Sequence, residues 1–157
     1  MKLAIIGAGY VGLTSAAVYA KLGHTVYAVR KDADKVAMLK RGEVPFYEPG
    51  LPELVREGVA SGRLIPTTSY AQAVPKAEVI FLCVGTPPLP NGEADLSQVF
   101  AAAKEVAENW APSPSPLPEG EGDRAEARSG EGAYKVIVNK STVPVGTAEK
   151  VARLIAD

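Results

Sequence analysis

Leu3-Ala4-Ile5-Ile6-Gly7-Ala8-Gly9-Tyr10-Val11-Gly12 is the stretch that decides the fold. Its first four residues form a continuous apolar run without polar alternation, the pattern of a strand buried on both faces of a parallel sheet. Glycines follow at once in the order Gly-x-Gly-x-x-Gly, and Val11 to Leu22 reads as an alanine-rich helix that Gly23 ends in a left-handed turn. A glycine hexapeptide alone is a weak signal. Between a buried strand and a helix it acquires a mechanical meaning. Gly7 permits the tight turn, Gly9 lets the backbone approach a pyrophosphate, and Gly12 lets helix and strand pack closely. Free N–H groups and the helix dipole then favour negative charge. The stretch predicts dinucleotide binding; the competing reading is a tight turn that binds nothing.

The alternation continues outward. Thr25 to Val29 is a second β-branched run, followed by a helix over Ala33 to Arg41 that Asp32 can cap. A proline-punctuated loop, Val44 to Pro52, leads to a short helix from Glu53 to Ala60 that ends near Gly62. Leu64 to Thr67 predicts a short strand and Tyr70 to Val74 a turn or two of helix. Val79 to Val84 is the most apolar run and reads as a central strand. Asp95 is positioned to cap a helix over Leu96 to Trp110. Lys135 to Asn139 predicts another buried strand, and Pro144 to Ile155 a helix with proline in its first turn. Strands alternating with helices imply an α/β, Rossmann-type doubly wound and mainly parallel sheet with helices on both faces, one domain over 1–157.

Pro112 to Ala133 breaks that rhythm. It has proline at 112, 114, 116 and 118, glycine at 120, 122, 130 and 132, and only Leu117 and three alanines as apolar side chains. Such a segment cannot bury enough surface to offset its ordering entropy, so it is expected to be a disordered insertion. Removing it leaves a connection of ordinary length from Trp110 to Lys135.

Composition narrows the function classes. The 157 residues are 46% hydrophobic, enough for one sizeable core, and 17 basic against 18 acidic side chains give a net charge of -1. That near-neutrality argues against nucleic acid or an anionic membrane surface as partners. One cysteine, Cys83, and one histidine, His24, exclude an internal disulfide framework and a multi-cysteine metal site. No apolar run reaches the ~18 residues a membrane span needs, and the N-terminus lacks the features of a signal peptide. A soluble cytoplasmic domain without a metal is the expectation.

A dinucleotide domain that uses NAD commonly ends its second strand with an acid that bonds the adenosine ribose. Here that position is Arg30, within Val29-Arg30-Lys31-Asp32. Three readings stay open. Arg30 and Lys31 accept a 2′-phosphate and favour NADP; Asp32 reaches the ribose while Arg30 packs over adenine; or Arg30 is simply solvated at a strand end.

Four segments in register carry a resemblance: Gly7 to Leu13, Gly42-Glu43-Val44-Pro45-Phe46-Tyr47-Glu48-Pro49-Gly50-Leu51, Val84-Gly85-Thr86-Pro87-Pro88, and Lys140-Ser141-Thr142-Val143-Pro144-Val145-Gly146-Thr147. Together they resemble the N-terminal NAD-binding domain of the UDP-glucose/GDP-mannose dehydrogenase family, over the whole chain except 112–133. Pro-Phe-Tyr-Glu-Pro-Gly-Leu leans toward the UDP-glucose branch rather than those acting on GDP-mannose or UDP-N-acetylhexosamines. The resemblance implies oxidation of a nucleotide-sugar C6 hydroxyl to a carboxylate, with two hydrides passed in turn to two NAD and a homodimeric full-length enzyme. It implies that Gly9, Tyr10, Val11 and Gly12 contact the pyrophosphate and that Lys35 lies near the adenosine. It also places Val84, Gly85, Thr86 and Pro87 on the nicotinamide side, with Ser141, Thr142 and Val143 where cofactor and sugar meet. Thr142 resembles a threonine that positions a catalytic water; helix capping is the equally weighted alternative. The Tyr-Glu-Pro-Gly-Leu and Lys-Ser-Thr-Val-Pro-Val-Gly segments separate the chain from imine reductases and 3-hydroxyacid dehydrogenases, and no Tyr-x-x-x-Lys pair supports a short-chain reductase.

The remaining candidates read as structural. Cys83 lies inside an apolar strand and does not match the family's nucleophile. His24 reads as a turn residue, Glu48 as a turn stabiliser or a group near the ligand, and Trp110 as a packing residue. The chain stops at Leu154-Ile155-Ala156-Asp157 in a helical pattern with no stop signal. The expectation is therefore a cofactor-binding half, inactive alone, with the nucleophilic cysteine and the sugar-binding domains beyond this end. A stand-alone dinucleotide-binding module is the rival.

Overall fold

A computed structural model describes residues 1–110 and 135–156. The insertion expected at 112–133 lies outside the described residues. Five strands form one parallel sheet: β1 (Lys2–Ile6), β2 (Thr25–Val29), β3 (Leu64–Thr67), β4 (Val79–Leu82) and β5 (Val136–Asn139). Their spatial order is β3-β2-β1-β4-β5, so the chain builds outward from β1 in one direction and then returns to build in the other. Ile6 pairs with Val29 on one side and Leu82 on the other, which brings the carboxyl ends of β1, β2 and β4 level. The switch point between β1 and β4 opens the crevice in which open α/β sheets bind ligands.

The unbroken apolar runs are explained by the two faces they serve. Successive strand side chains alternate sides. Ala4, Ile6, Tyr27, Val29, Ile80 and Leu82 enter one core, against Val99, Ala102, Ala103 and Val106 of α5 (Ser97–Glu108) and Val151 of α6 (Thr147–Ala156). Leu3, Ile5, Val26, Ala28 and Leu64 enter the other. That second core is closed by Leu13, Ala16, Ala17 and Ala20 of α1 (Tyr10–Lys21), Leu39 of α2 (Ala33–Lys40) and Val55 of α3 (Leu51–Ala60). The short α4 (Tyr70–Ala73) follows β3 and is capped by Ser69, whose hydroxyl accepts from the Gln72 amide at 3.1 Å.

Several expected boundaries move. β5 was expected to be buried, but Val136 is exposed and the next three residues are half-buried. Among the described strands β5 is one of two sheet edges, paired only with β4; β3, the other edge, stays buried because α2 and α3 pack on it. β4 stops at Leu82; the Cys83 amide still donates to the Ile6 carbonyl at 2.7 Å, and Cys83 and Val84 line the crevice. α6 begins at Thr147, so Pro144 lies outside the helix; Gly146, at φ +85°, turns the chain before it enters. Asp95 does stabilise the start of α5, accepting from the Ser97 amide at 2.8 Å, but from one residue before the Leu96 cap position. Asp32 caps α2 as expected, accepting from the Lys35 amide at 3.1 Å. Trp110 packs on the first core, and the Lys135 ammonium lies 5.8 Å from its ring centre. Lys135 also donates to the carbonyls of Pro75 and Ala77 at 2.9 and 2.7 Å, tying the start of β5 to the turn before β4.

Candidate functional site

A cleft of about 450 Å³ opens at the carboxyl ends of β1, β2 and β4. Gly7, Ala8 and Gly9 form its floor, Val29 to Asp32 one rim, and Cys83, Val84 and Gly85 the opposite rim. Tyr70 of α4 and Gln98, Ala101 and Ala102 of α5 close it from the side.

The glycine loop is built by contact. The amides of Gly7 and Ala8 both donate to the Val29 carbonyl, at 3.0 and 3.1 Å, which binds the loop to β2. Gly7 has φ +97°, and a Cβ there would lie 2.7 Å from the Cys83 carbonyl oxygen. A Cβ on Gly12 would lie 2.2 Å from the Gly7 carbonyl oxygen. Neither position admits a side chain without moving backbone. Gly9 is different, since a Cβ there would meet nothing within 4 Å. Its surface is open to an approaching group. Leu13 is the first residue to donate inside α1, to Gly9 at 2.9 Å. The amides of Tyr10, Val11 and Gly12 therefore face out of the helix end, where no side chain caps them. They form an anion cradle.

The β2 rim carries the charge. Arg30 holds Thr67 through its backbone amide at 3.0 Å, and its Nη1 donates to the Ala8 carbonyl at 2.6 Å. Its Nε is buried without a partner. Asp32 lines the same rim, but its carboxylate accepts from the Lys35 amide and lies 3.2 Å from the Lys35 ammonium. Those bonds hold it below the usual carboxylate range. Lys35 thus turns onto Asp32 and is not a lining residue of the cleft.

The other expected residues form a second group. The Ser141 hydroxyl donates to the Val84 carbonyl at 2.8 Å, and the Thr86 hydroxyl to the Thr142 carbonyl at 2.9 Å. Val84 and Val143 are both half-buried and pack on the first core. Val84 to Thr86 and Ser141 to Val143 are therefore one stitched loop pair, of which only Val84 and Gly85 line the cleft; Thr86, Pro87, Ser141, Val143 and the exposed Thr142 lie outside the lining. Thr142 does not cap α6, which starts five residues later at Thr147; the hydroxyl that closes this turn belongs to Thr147 and donates to Pro144 at 2.8 Å.

Tyr10 and Val11 project their side chains outward. Tyr10 donates to the Glu48 carboxylate and its ring lies 5.1 Å from that of Phe46, so the Gly42 to Leu51 loop docks on the start of α1. Hydrogen bonding to Glu48 raises the Tyr10 phenol above its usual range. Cys83 is half-buried, and burial pushes its thiol up to about 11, so it is neutral at physiological pH. Tyr70 and Gln98 were not singled out from sequence. Tyr70 sits in a four-residue helix too short to show periodicity, and burial pushes its phenol up to about 12. Gln98 did carry a signal: Ala101 and Ala102 follow it at helical spacing, leaving a shallow face above the cleft. Among the described residues, no helix is long and apolar enough to cross a membrane, and no cluster of His, Cys, Asp and Glu could hold a metal ion.

Comparison with known proteins supplies the context. The family model described as "UDP-glucose/GDP-mannose dehydrogenase family, NAD binding domain" matches residues 1–113. The UDP-glucose 6-dehydrogenase of Rhizobium meliloti is 44% identical over 158 residues, covering 100% of this chain and 31% of the relative. The structure of a UDP-glucose dehydrogenase from Pyrobaculum islandicum superposes with a TM-score of 0.82 at 38% identity, covering 99% of this chain and 32% of that one. A GDP-mannose dehydrogenase from Pseudomonas aeruginosa, solved as a ternary complex, gives a TM-score of 0.82 at 32% identity, covering 100% of this chain and 32% of that one. The chain thus spans about a third of the length of the relatives it matches.

Proposed function

Because the chain belongs to the UDP-glucose/GDP-mannose dehydrogenase family as its NAD binding domain, we propose that it is the cofactor-binding half of a nucleotide-sugar 6-dehydrogenase. The reaction is oxidation of the C6 hydroxyl of UDP-glucose to the carboxylate of UDP-glucuronate. The observation that carries the reading is the cleft at the β1/β4 switch point, with an open approach in front of Gly9 and three free amides at the head of α1. UDP-glucose is favoured over GDP-mannose by Pro45 to Leu51 and by the greater identity to UDP-glucose dehydrogenases.

When bound, the nicotinamide ring accepts hydride from the sugar carbon. The chain's own residues bind and orient. Gly9 and the amides of Tyr10, Val11 and Gly12 hold the diphosphate, and Gly7 keeps the floor low enough to admit it. Val84, Gly85, Thr86 and Pro87 bound the nicotinamide side. Ser141 and Val143 fix the loop that meets the sugar, and the exposed Thr142 hydroxyl holds a water there. Cys83 serves no covalent step, because its half-buried thiol stays protonated until about pH 11. The reactive thiol, the sugar-binding domains and the homodimer contacts belong to parts of the enzyme outside these residues, and the enzyme works in the cytoplasm.

Titration of the purified chain with NADH and with NAD, followed by an assay with UDP-glucose, tests this reading. Saturable dinucleotide binding without cofactor reduction is expected from the chain alone, and reduction once the remaining domains are joined to it. Turnover by the chain alone, or no dinucleotide binding, overturns it.

A further inference from the structure

The β2 rim has the wrong chemistry for an unmodified ribose. A ribose diol donates, and is held well by a carboxylate that accepts from both hydroxyls. Asp32 is the only carboxylate among the described residues that line the cleft, and both of its oxygens are engaged by Lys35, one by the amide at 3.1 Å and one by the ammonium at 3.2 Å. Arg30 offers the opposite chemistry. One arm of its guanidinium is anchored on Ala8 at 2.6 Å, its Nε is buried without a partner, and among the described residues it makes no ion pair. Lys31 lines the cleft next to it and reaches Glu105 only at 3.8 Å, with its own side chain 71% exposed. Among the described residues that line the cleft, two cations, Arg30 and Lys31, stand against one carboxylate, Asp32, which Lys35 already pairs, so the rim keeps a positive excess.

Resting on the dinucleotide reading of this cleft, we propose that the β2 rim is a phosphate-reading subsite in which Arg30, helped by Lys31, selects a dinucleotide carrying a phosphate on its adenosine 2′-oxygen, NADP(H) over NAD(H). A guanidinium presents several N–H donors in a planar fork that matches phosphate oxygens, and only one of them is committed to Ala8. That anchor holds the fork in place, so less side-chain freedom remains to be lost on binding. A phosphate would give the orphaned rim a charge-assisted partner, whereas a bare ribose would leave Arg30 unpaired beside a neutral ligand.

Calorimetric titration of the whole chain with NADP, NAD, adenosine 2′,5′-bisphosphate and AMP tests the subsite. We expect NADP to bind about tenfold or more tightly than NAD, the bisphosphate to exceed AMP by a similar ratio, and both ratios to shrink as salt is added. Arg30→Ala brings NADP and NAD within about threefold of each other, and Lys31→Ala, on an exposed side chain, reduces the ratio by a smaller factor. If Arg30→Ala does not fold, the wild-type ratio and Lys31→Ala decide the matter. NAD binding as tightly as NADP, or a ratio unchanged in the Arg30 and Lys31 variants, overturns the subsite while leaving the dinucleotide reading intact. Binding of none of the four ligands removes both.

Discussion

The turns after β1 and after β5 both leave a strand's carboxyl end by placing two consecutive amides on one carbonyl of a neighbouring strand, yet they differ in what completes them. The first needs only three residues between Ile6 and Tyr10, and backbone holds it: two amides on one carbonyl, and two glycines pressed against neighbouring main chain. The second takes the residues from Lys140 to Gly146: the Lys140 and Ser141 amides donate to the Leu82 carbonyl at 2.9 and 3.1 Å, and the hydroxyls of Thr86, Ser141 and Thr147 add bonds to further carbonyls. A turn built of backbone is rigid and exact about composition. A turn that adds side-chain bonds to its backbone ones tolerates loss of any single hydroxyl. That contrast suits a floor that must accept a diphosphate and a mouth that must meet a second ligand.

The largest effect is expected at the floor. Gly12→Val places carbon where the Gly7 carbonyl oxygen already stands, at 2.2 Å, and should cost about 3 kcal/mol or more, measured by urea unfolding. A stable Gly12→Val protein would show that the floor is softer than the comparison requires. At the mouth, Ser141→Ala and Thr86→Val should each cost only about 1 kcal/mol, the ordinary worth of one hydrogen bond. Losses there as large as at Gly12 would erase the distinction.

A pH-dependent effect concerns Cys83, which lies against both glycines and acts only at alkaline pH. Its thiol is raised in the folded chain from 9.0 to about 11, so between those values the unfolded chain loses a proton that the folded chain keeps. The folded state is therefore penalised as pH rises through that window, and its stability should be constant below it and fall within it. Alkylation of Cys83 should follow the same window, slow at neutral pH and faster as pH approaches 11. Rapid alkylation at neutral pH would mean that the glycine loop opens.

What the sequence alone conveyed divides along the same line. β2, β3 and the glycine loop are legible to the residue, because burial on both faces and steric need for glycine act locally. The apolar run of β5 reads as buried because such a run does not report which helices cover a sheet edge, and β3, the other edge, is covered where β5 is not. The start of α6 was misplaced because proline was read as a helix opener, while Gly146 at φ +85° turned the chain later. Arg30 was placed correctly at the strand end, but its bond to Ala8 joins residues far apart in sequence and no local pattern encodes it. Tyr70 and Gln98 reach the cleft for the same non-local reason.

The central claim is that the cleft between the ends of β1 and β4 holds a dinucleotide. Backbone amide shifts of the labelled chain, followed by NMR during titration with NADP, test it most directly. Gly9, Tyr10, Val11, Gly12, Arg30 and Gly85 should move together along one binding curve while the amides of α3, none of whose residues lines the cleft, stay still. Shifts confined to other surfaces, or none at saturating ligand, would contradict it.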